Sequence, residues 1–171
     1  MTTVQTRRED HLIAWFAALA ITIHVVEGLL PSPVPGIKPG LANVITLTVM
    51  LTYGWRMAVW VAMLRVLVGS LIIGTFLSPT FMLSFCGAVA GVAALGLGRM
   101  VPGRGLGPVG YSVLASMAHM TAQFWVAYTL FIPHEALFRL LPAFMTAAVI
   151  FGIVNGIIVH QVLLYLRKAP Q

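Results

Sequence analysis

An arginine stands inside an otherwise apolar run, at Arg65 between Ala58 and Ile73. At membrane depth such a charge costs about 2.5–3.5 kcal/mol on insertion scales, so it faces a bundle interior or a watery cavity. A small-residue break follows, Gly74 to Thr80, carrying Thr75, Ser78 and Thr80; Ser84 lies one turn further on. A second polar series, Ser112, Ser116, His119 and Gln123, falls at i, i+4, i+7 and i+11 of another apolar segment. That spacing makes one stripe on one helix face, and lipid cannot satisfy its hydrogen bonds, so the stripe turns inward. His24 and Glu27 share a face near the end of the first apolar run, and Lys38 and Asn43 follow.

Glu27, Lys38, Asn43, Arg65, Thr75, Ser78, Thr80, Ser84, His119 and Gln123 therefore form one candidate constellation. Its cations, hydroxyls and amides suit a small anionic or polar ligand. Helix starts after Gly40 and Pro79 would add unsatisfied N–H groups at the same end. Each residue also has a plainer reading. Arg65 pairs with Glu27 to lock the bundle, the hydroxyls bond their own backbone, His119 and Gln123 clamp two helices, and Lys38 anchors at the interface. Asn155 and His160 read as packing residues.

Catalysis finds little support. The chain has four acidic residues, Glu9, Asp10, Glu27 and Glu135, and no paired-aspartate motif to hold Mg²⁺ and a diphosphate. It contains no P-loop, no HExxH and no nucleophile elbow. Cys86 is the single cysteine, so no intrachain disulfide or cysteine metal cluster forms. The residues name no metal and no cofactor.

The elements that must position these groups are read from the apolar runs. Of 171 residues, 60% are hydrophobic and 8% charged, against about 25% charged in soluble domains. This is an all-α polytopic membrane protein, a single integral domain over residues 1–171. Six spans are expected, at about 12–30, 41–53, 57–73, 81–97, 108–131 and 140–166. The 41–53 segment is short, and the sequence leaves open whether it tilts, starts deep or is re-entrant. A proline-rich connector, residues 31–40, separates it from the first span. Arg7 and Arg8 before the first run resemble a signal-peptide start, but Glu27, Pro31 and Pro33 stand where a cleavage site is expected, so the segment reads as a retained helix.

With the N-terminus inside, Arg7, Arg8, Arg56, Arg99, Arg104, Arg167 and Lys168 fall on the cytoplasmic side, and Lys38 and Arg139 outside. That bias predicts both termini in the cytoplasm and a multi-pass protein of the inner membrane. The net charge of +6 is spread over helix ends, which argues against a nucleic-acid partner. Gly87, Gly91, Ala94 and Gly98 make a small stripe that predicts close helix approach. Ala14 with Ala18, and Gly152 with Gly156, are read as partner-interface pairs.

The stretches Pro35-Gly36-Ile37-Lys38, Gly40-Leu41-Ala42-Asn43, Leu64-Arg65, Gly69-Ser70, Gly74-Thr75-Phe76 and Ser78-Pro79-Thr80-Phe81, with Leu83-Ser84, resemble the Gx transporter family. That family also carries the label heptaprenyl diphosphate synthase component I. It looks related to the substrate-binding S components of energy-coupling factor transporters. The resemblance covers nearly the whole chain; it departs where Pro39 and Met120 stand. It implies a six-helix S-component-like bundle with an outward pocket, energised by a transmembrane coupling subunit and ATPases. On the first helix, Ala14 and Ala18 would dock that subunit. The expected function is a membrane-embedded binding or transport subunit for a small anionic or polar molecule. The alternatives are a noncatalytic membrane subunit of a larger complex, in isoprenoid synthesis or membrane redox chemistry, and a purely structural membrane protein.

Overall fold

The computed structural model describes residues 8–29, 40–100 and 106–168. These are almost wholly helical: α1 Arg8–Leu29, α2 Ala42–Tyr53, α3 Trp55–Ile73, α4 Pro79–Gly98, α5 Pro108–Val126 and α6 Leu141–Lys168. The α5 helix runs on through a π-helical turn, Ala127–Phe131, and a 3-10 turn, Glu135–Leu140, leads into α6. The expected segments thus appear as helices in the expected order.

The short helix is the axis of the fold. With 12 residues, α2 is about 18 Å long. Ala42, Val44, Thr46, Leu47, Thr48, Val49 and Met50 are all buried, on every face of the helix. A helix apolar all round belongs in a core, and α2 packs against α1, α3, α5 and α6. Gly54, at φ +102°, turns the chain from α2 directly into α3, a conformation that favours glycine. Further round the bundle, α4 lies between α3 and α5, and α6 packs on α5 and α2.

The main core gathers Val49 and Met50 of α2, Met57 and Val61 of α3, Leu95 of α4, Tyr111 of α5 and Val159 of α6. These come from the end of α2, the start of α3, the end of α4, the start of α5 and the latter half of α6. The helices therefore alternate in direction, and this end of the bundle is solid. Trp55 ties it together by donating from Nε1 to the Val92 carbonyl at 2.7 Å. Arg56, Arg99, Arg167 and Lys168 lie on helix ends at the same end.

Small residues set the closest helix contacts. A Cβ at Gly156 would sit 2.5 Å from Val109 Cα, and one at Gly152 2.9 Å from Val113 Cα. The Gly152/Gly156 pair, expected at a partner interface, is thus filled by α5 of the same chain, because only glycine lets the two backbones come so near. The α4 stripe also meets α5, but Gly87 and Gly91 accommodate a side chain, the imidazole of His119. Ala14 and Ala18 are exposed on α1, while Ala17 and Ala20 face inward.

By length and apolar composition, α1, α3, α4 and the segment containing α6 can each cross a membrane. The α2 helix is too short for that criterion. The α5 helix has the length, and its polar stripe lowers its mean hydropathy.

Candidate functional site

At the end opposite the core the bundle is hollow. A cavity of about 500 Å³ is lined by residues of all six helices. It exists because α2 stops short, so that the outer helices enclose space beyond its first turn.

Local sequence explains how the walls are held. Glu27 is buried at the end of α1, and its carboxylate accepts from the Leu41 N–H at 2.7 Å and, at the limit of contact, from the Ala42 N–H at 3.5 Å. These are donors that the first turn of a helix leaves without partners. A carboxylate there also meets the positive end of the helix dipole. Glu27 is thus the cap of α2, supplied by another helix. Asn155, on α6, donates from Nδ2 to the Gly40 carbonyl at 3.4 Å, pinning the turn that starts α2. The α3 helix ends at Gly74, φ +77°, whose N–H returns to the last turn. The α4 helix begins at Ser78, whose hydroxyl accepts from the Phe81 N–H at 3.3 Å, with Pro79 in its first turn. Leu77 between them is the one non-glycine residue with positive φ among the described residues.

Arg65 is the charge of the site. It is 5% exposed, and its Nη1 donates to Asn43 Oδ1 at 2.8 Å. Its Nε has no hydrogen-bond partner. Glu27 and Arg65 border the same cavity, but Glu27 is held by backbone N–H groups and Arg65 by a neutral amide. The expected lock between them is not a direct ion pair among the described contacts.

Below the cavity, toward the core, lies a smaller chamber of about 30 Å³. Asn43, Arg65, Ser116 and His119 border both spaces. Thr46 and Ser112 belong to the smaller one. The Thr46 hydroxyl is buried and unpartnered, as is that of Thr48. The larger cavity has an apolar side formed by Val66, Ile73, Phe81, Leu83 and Phe151.

Of the residues expected from sequence, Glu27, Asn43, Arg65, Thr75, Thr80, Ser84, His119 and Gln123 line the larger cavity. Ser78 does not; its hydroxyl is committed to capping α4. Lys38 lies outside the described residues. The structure adds His24, Ser70, Ser116 and Asn155. His24 packs over Gly69, where a Cβ would fall 2.8 Å from its ring. Its i, i+3 relation to Glu27 is the signal for it, and Ser116 is marked by the α5 stripe. Ser70 spends its hydroxyl on the Leu67 carbonyl at 2.8 Å. Asn155, read from sequence as a packing residue, both packs and lines the cavity. No group of three or more His, Cys, Asp or Glu comes together as a metal site among the described residues. The arrangement can hold a small polar or anionic group at Arg65 and an apolar body against α3, α4 and α6.

Residues 16–162 match the family model described as heptaprenyl diphosphate synthase component I. No curated protein matches the chain. No solved structure matches it either.

Proposed function

The chain belongs to the heptaprenyl diphosphate synthase component I family, and on that premise we propose that it is a membrane-embedded, substrate-binding subunit of a larger assembly. It holds a small polar or anionic molecule in the cavity beside Arg65 and passes it across the bilayer, with energy supplied by partner subunits. The observation that carries this reading is a buried guanidinium whose hydrogen-bond partner among the described residues is a neutral amide, opening on a cavity walled by all six helices. A residue kept only to lock the bundle would be expected to carry its counter-charge in direct contact.

In this reading the bundle sits in the inner membrane, with α1, α3, α4, α5 and α6 crossing it and α2 held within it. The solid end, rich in Arg and Lys, faces the cytoplasm with both termini, and the cavity opens outward, as in an S component. The exposed Ala14/Ala18 face of α1 docks a transmembrane coupling subunit that works with ATPases. Glu27, Asn43, Arg65, Thr80, Ser84, His119 and Gln123 contact the ligand or its water shell.

The family description favours a second reading, a noncatalytic membrane subunit of a prenyl diphosphate synthase. The chain has four acidic residues, and the single one in the cavity caps α2, so the metal-binding carboxylates of such an enzyme would come from the partner.

Native mass spectrometry of the chain purified alone in mild detergent separates the two. The binding-subunit reading expects a stoichiometric small molecule that is lost in Arg65→Ala. An empty chain that, when co-expressed with a prenyltransferase, is retained with it supports the second reading and overturns the first.

A further inference from the structure

We propose that the molecule bound here carries a single carboxylate, which sits in the smaller chamber against the free edge of Arg65. This inference rests on the binding-subunit reading and adds the chemical class of the ligand.

Three observations carry it. First, the donors without partners lie together. Arg65 Nε and the Thr46 hydroxyl are both buried and unpaired, and both residues border the smaller chamber. Asn43 occupies Nη1. The edge of the guanidinium that remains, Nε with Nη2, is the one that grips a carboxylate through two parallel hydrogen bonds. Asn43 thus orients the fork.

Second, the chamber is small. At about 30 Å³ it has room for about two water-sized groups, each needing roughly 10–15 Å³. The two oxygens of a carboxylate fit that space. A diphosphate does not, and it would have to remain in the larger cavity, away from Thr46.

Third, the described residues offer one cationic lysine or arginine side chain to these spaces, Arg65, and Glu27 in the larger cavity repels further negative charge. A phosphate monoester carries about −1.5 to −2 at neutral pH and would leave part of that uncompensated in a low-dielectric interior. A monoanion leaves the least charge uncompensated. Its body then rises into the larger cavity, against Phe81 and Phe151.

The test uses probes that share one apolar body and differ in the head: 3-phenylpropanoate, 3-phenylpropanamide and 3-phenylpropyl diphosphate. Each is titrated into the full chain in dodecyl maltoside and followed by intrinsic tryptophan fluorescence and by thermal shift. The carboxylate is expected to bind at least about tenfold more tightly than the amide, because a charge-assisted bidentate contact is lost. Arg65→Lys keeps the charge but not the fork and is expected to lose about tenfold for the carboxylate. Thr46→Val, nearly the same shape, removes a buried unpartnered hydroxyl and is expected to lose a few-fold in binding while melting at or above the parent, which separates lost binding from lost folding. Amide binding equal to carboxylate binding, or tighter binding of the diphosphate, overturns the carboxylate site and leaves the binding-subunit reading standing. Binding of none of the three heads, together with an empty chain in native mass spectrometry, overturns both.

Discussion

Replacing Glu27 by alanine removes the cap that one helix supplies to another. The carboxylate accepts one short hydrogen bond, 2.7 Å from the Leu41 N–H, and a second at 3.5 Å from Ala42 that is too long to add much. A hydrogen bond to a charged group contributes about 1.5–3 kcal/mol, and loss of an N-cap costs about 1 kcal/mol in many helices. These describe the same contact and do not add. Glu27 is 8% exposed, so water does not easily replace the lost acceptor, and the cost falls near the upper end, about 2–3 kcal/mol. For a chain of this size about 1 kcal/mol moves the melting temperature by 2–4 °C, so Glu27→Ala is expected to melt about 4–12 °C lower. Glu27→Gln keeps a neutral acceptor and is expected to lose about 1 kcal/mol. The assay is a fixed-rate thermal scan in dodecyl maltoside, with hydrogen exchange at Leu41 and Ala42 as the local readout. Faster exchange at those two amides in the alanine variant is expected. If alanine melts within 1 °C of the parent, the capping argument fails. If glutamine is as damaging as alanine, the negative charge matters through Arg65 and not through the helix end.

Gly156→Ala would place a methyl group 2.5 Å from the Val109 backbone, which no rotamer change relieves. It should destabilise the chain by about 1–3 kcal/mol, and a thermal scan showing no loss would mean that α5 and α6 are not so closely seated. Thr48→Val removes a buried hydroxyl without a partner; about 1 kcal/mol of stabilisation is expected, and a lower melting temperature would reveal a partner for that hydroxyl. Trp55→Phe deletes the 2.7 Å bond to the Val92 carbonyl and should cost about 1 kcal/mol or more, because the carbonyl is left unmet; an unchanged denaturation midpoint counts against it.

The helices were legible in the sequence because apolar runs, proline and glycine breaks and flanking charges all mark the same boundaries. Arg65, Glu27, Asn43 and the α5 stripe were legible for a related reason: a polar group in hydrocarbon must face inward. The failures have a common cause. Ser78 before Pro79 reads equally as a ligand and as a cap, and only the Phe81 N–H beside it decides. Gly152 and Gly156 announce a close contact, but spacing carries no address for the helix that fills it. Asn155 bonds the Gly40 carbonyl 115 residues away, beyond any local pattern. The central place of α2 follows from its all-round apolarity, a signal that a search for amphipathic faces passes over.

The shortness of α2 also bears on how the protein enters the bilayer. In the membrane-subunit reading, a helix of about 18 Å is shorter than a hydrocarbon core of about 30 Å, and the single residue Gly54 joins it to α3, so the two would enter as a hairpin. The leading N–H groups of α2 then need an acceptor from elsewhere in the chain. Glu27 meets them, and it is synthesised 14 residues before Leu41. The acceptor is thus made before the donors it serves. A circular permutant starting at α2 would keep every residue and every final contact. It would nevertheless have to hold an uncapped helix end in the membrane until its last helix was made.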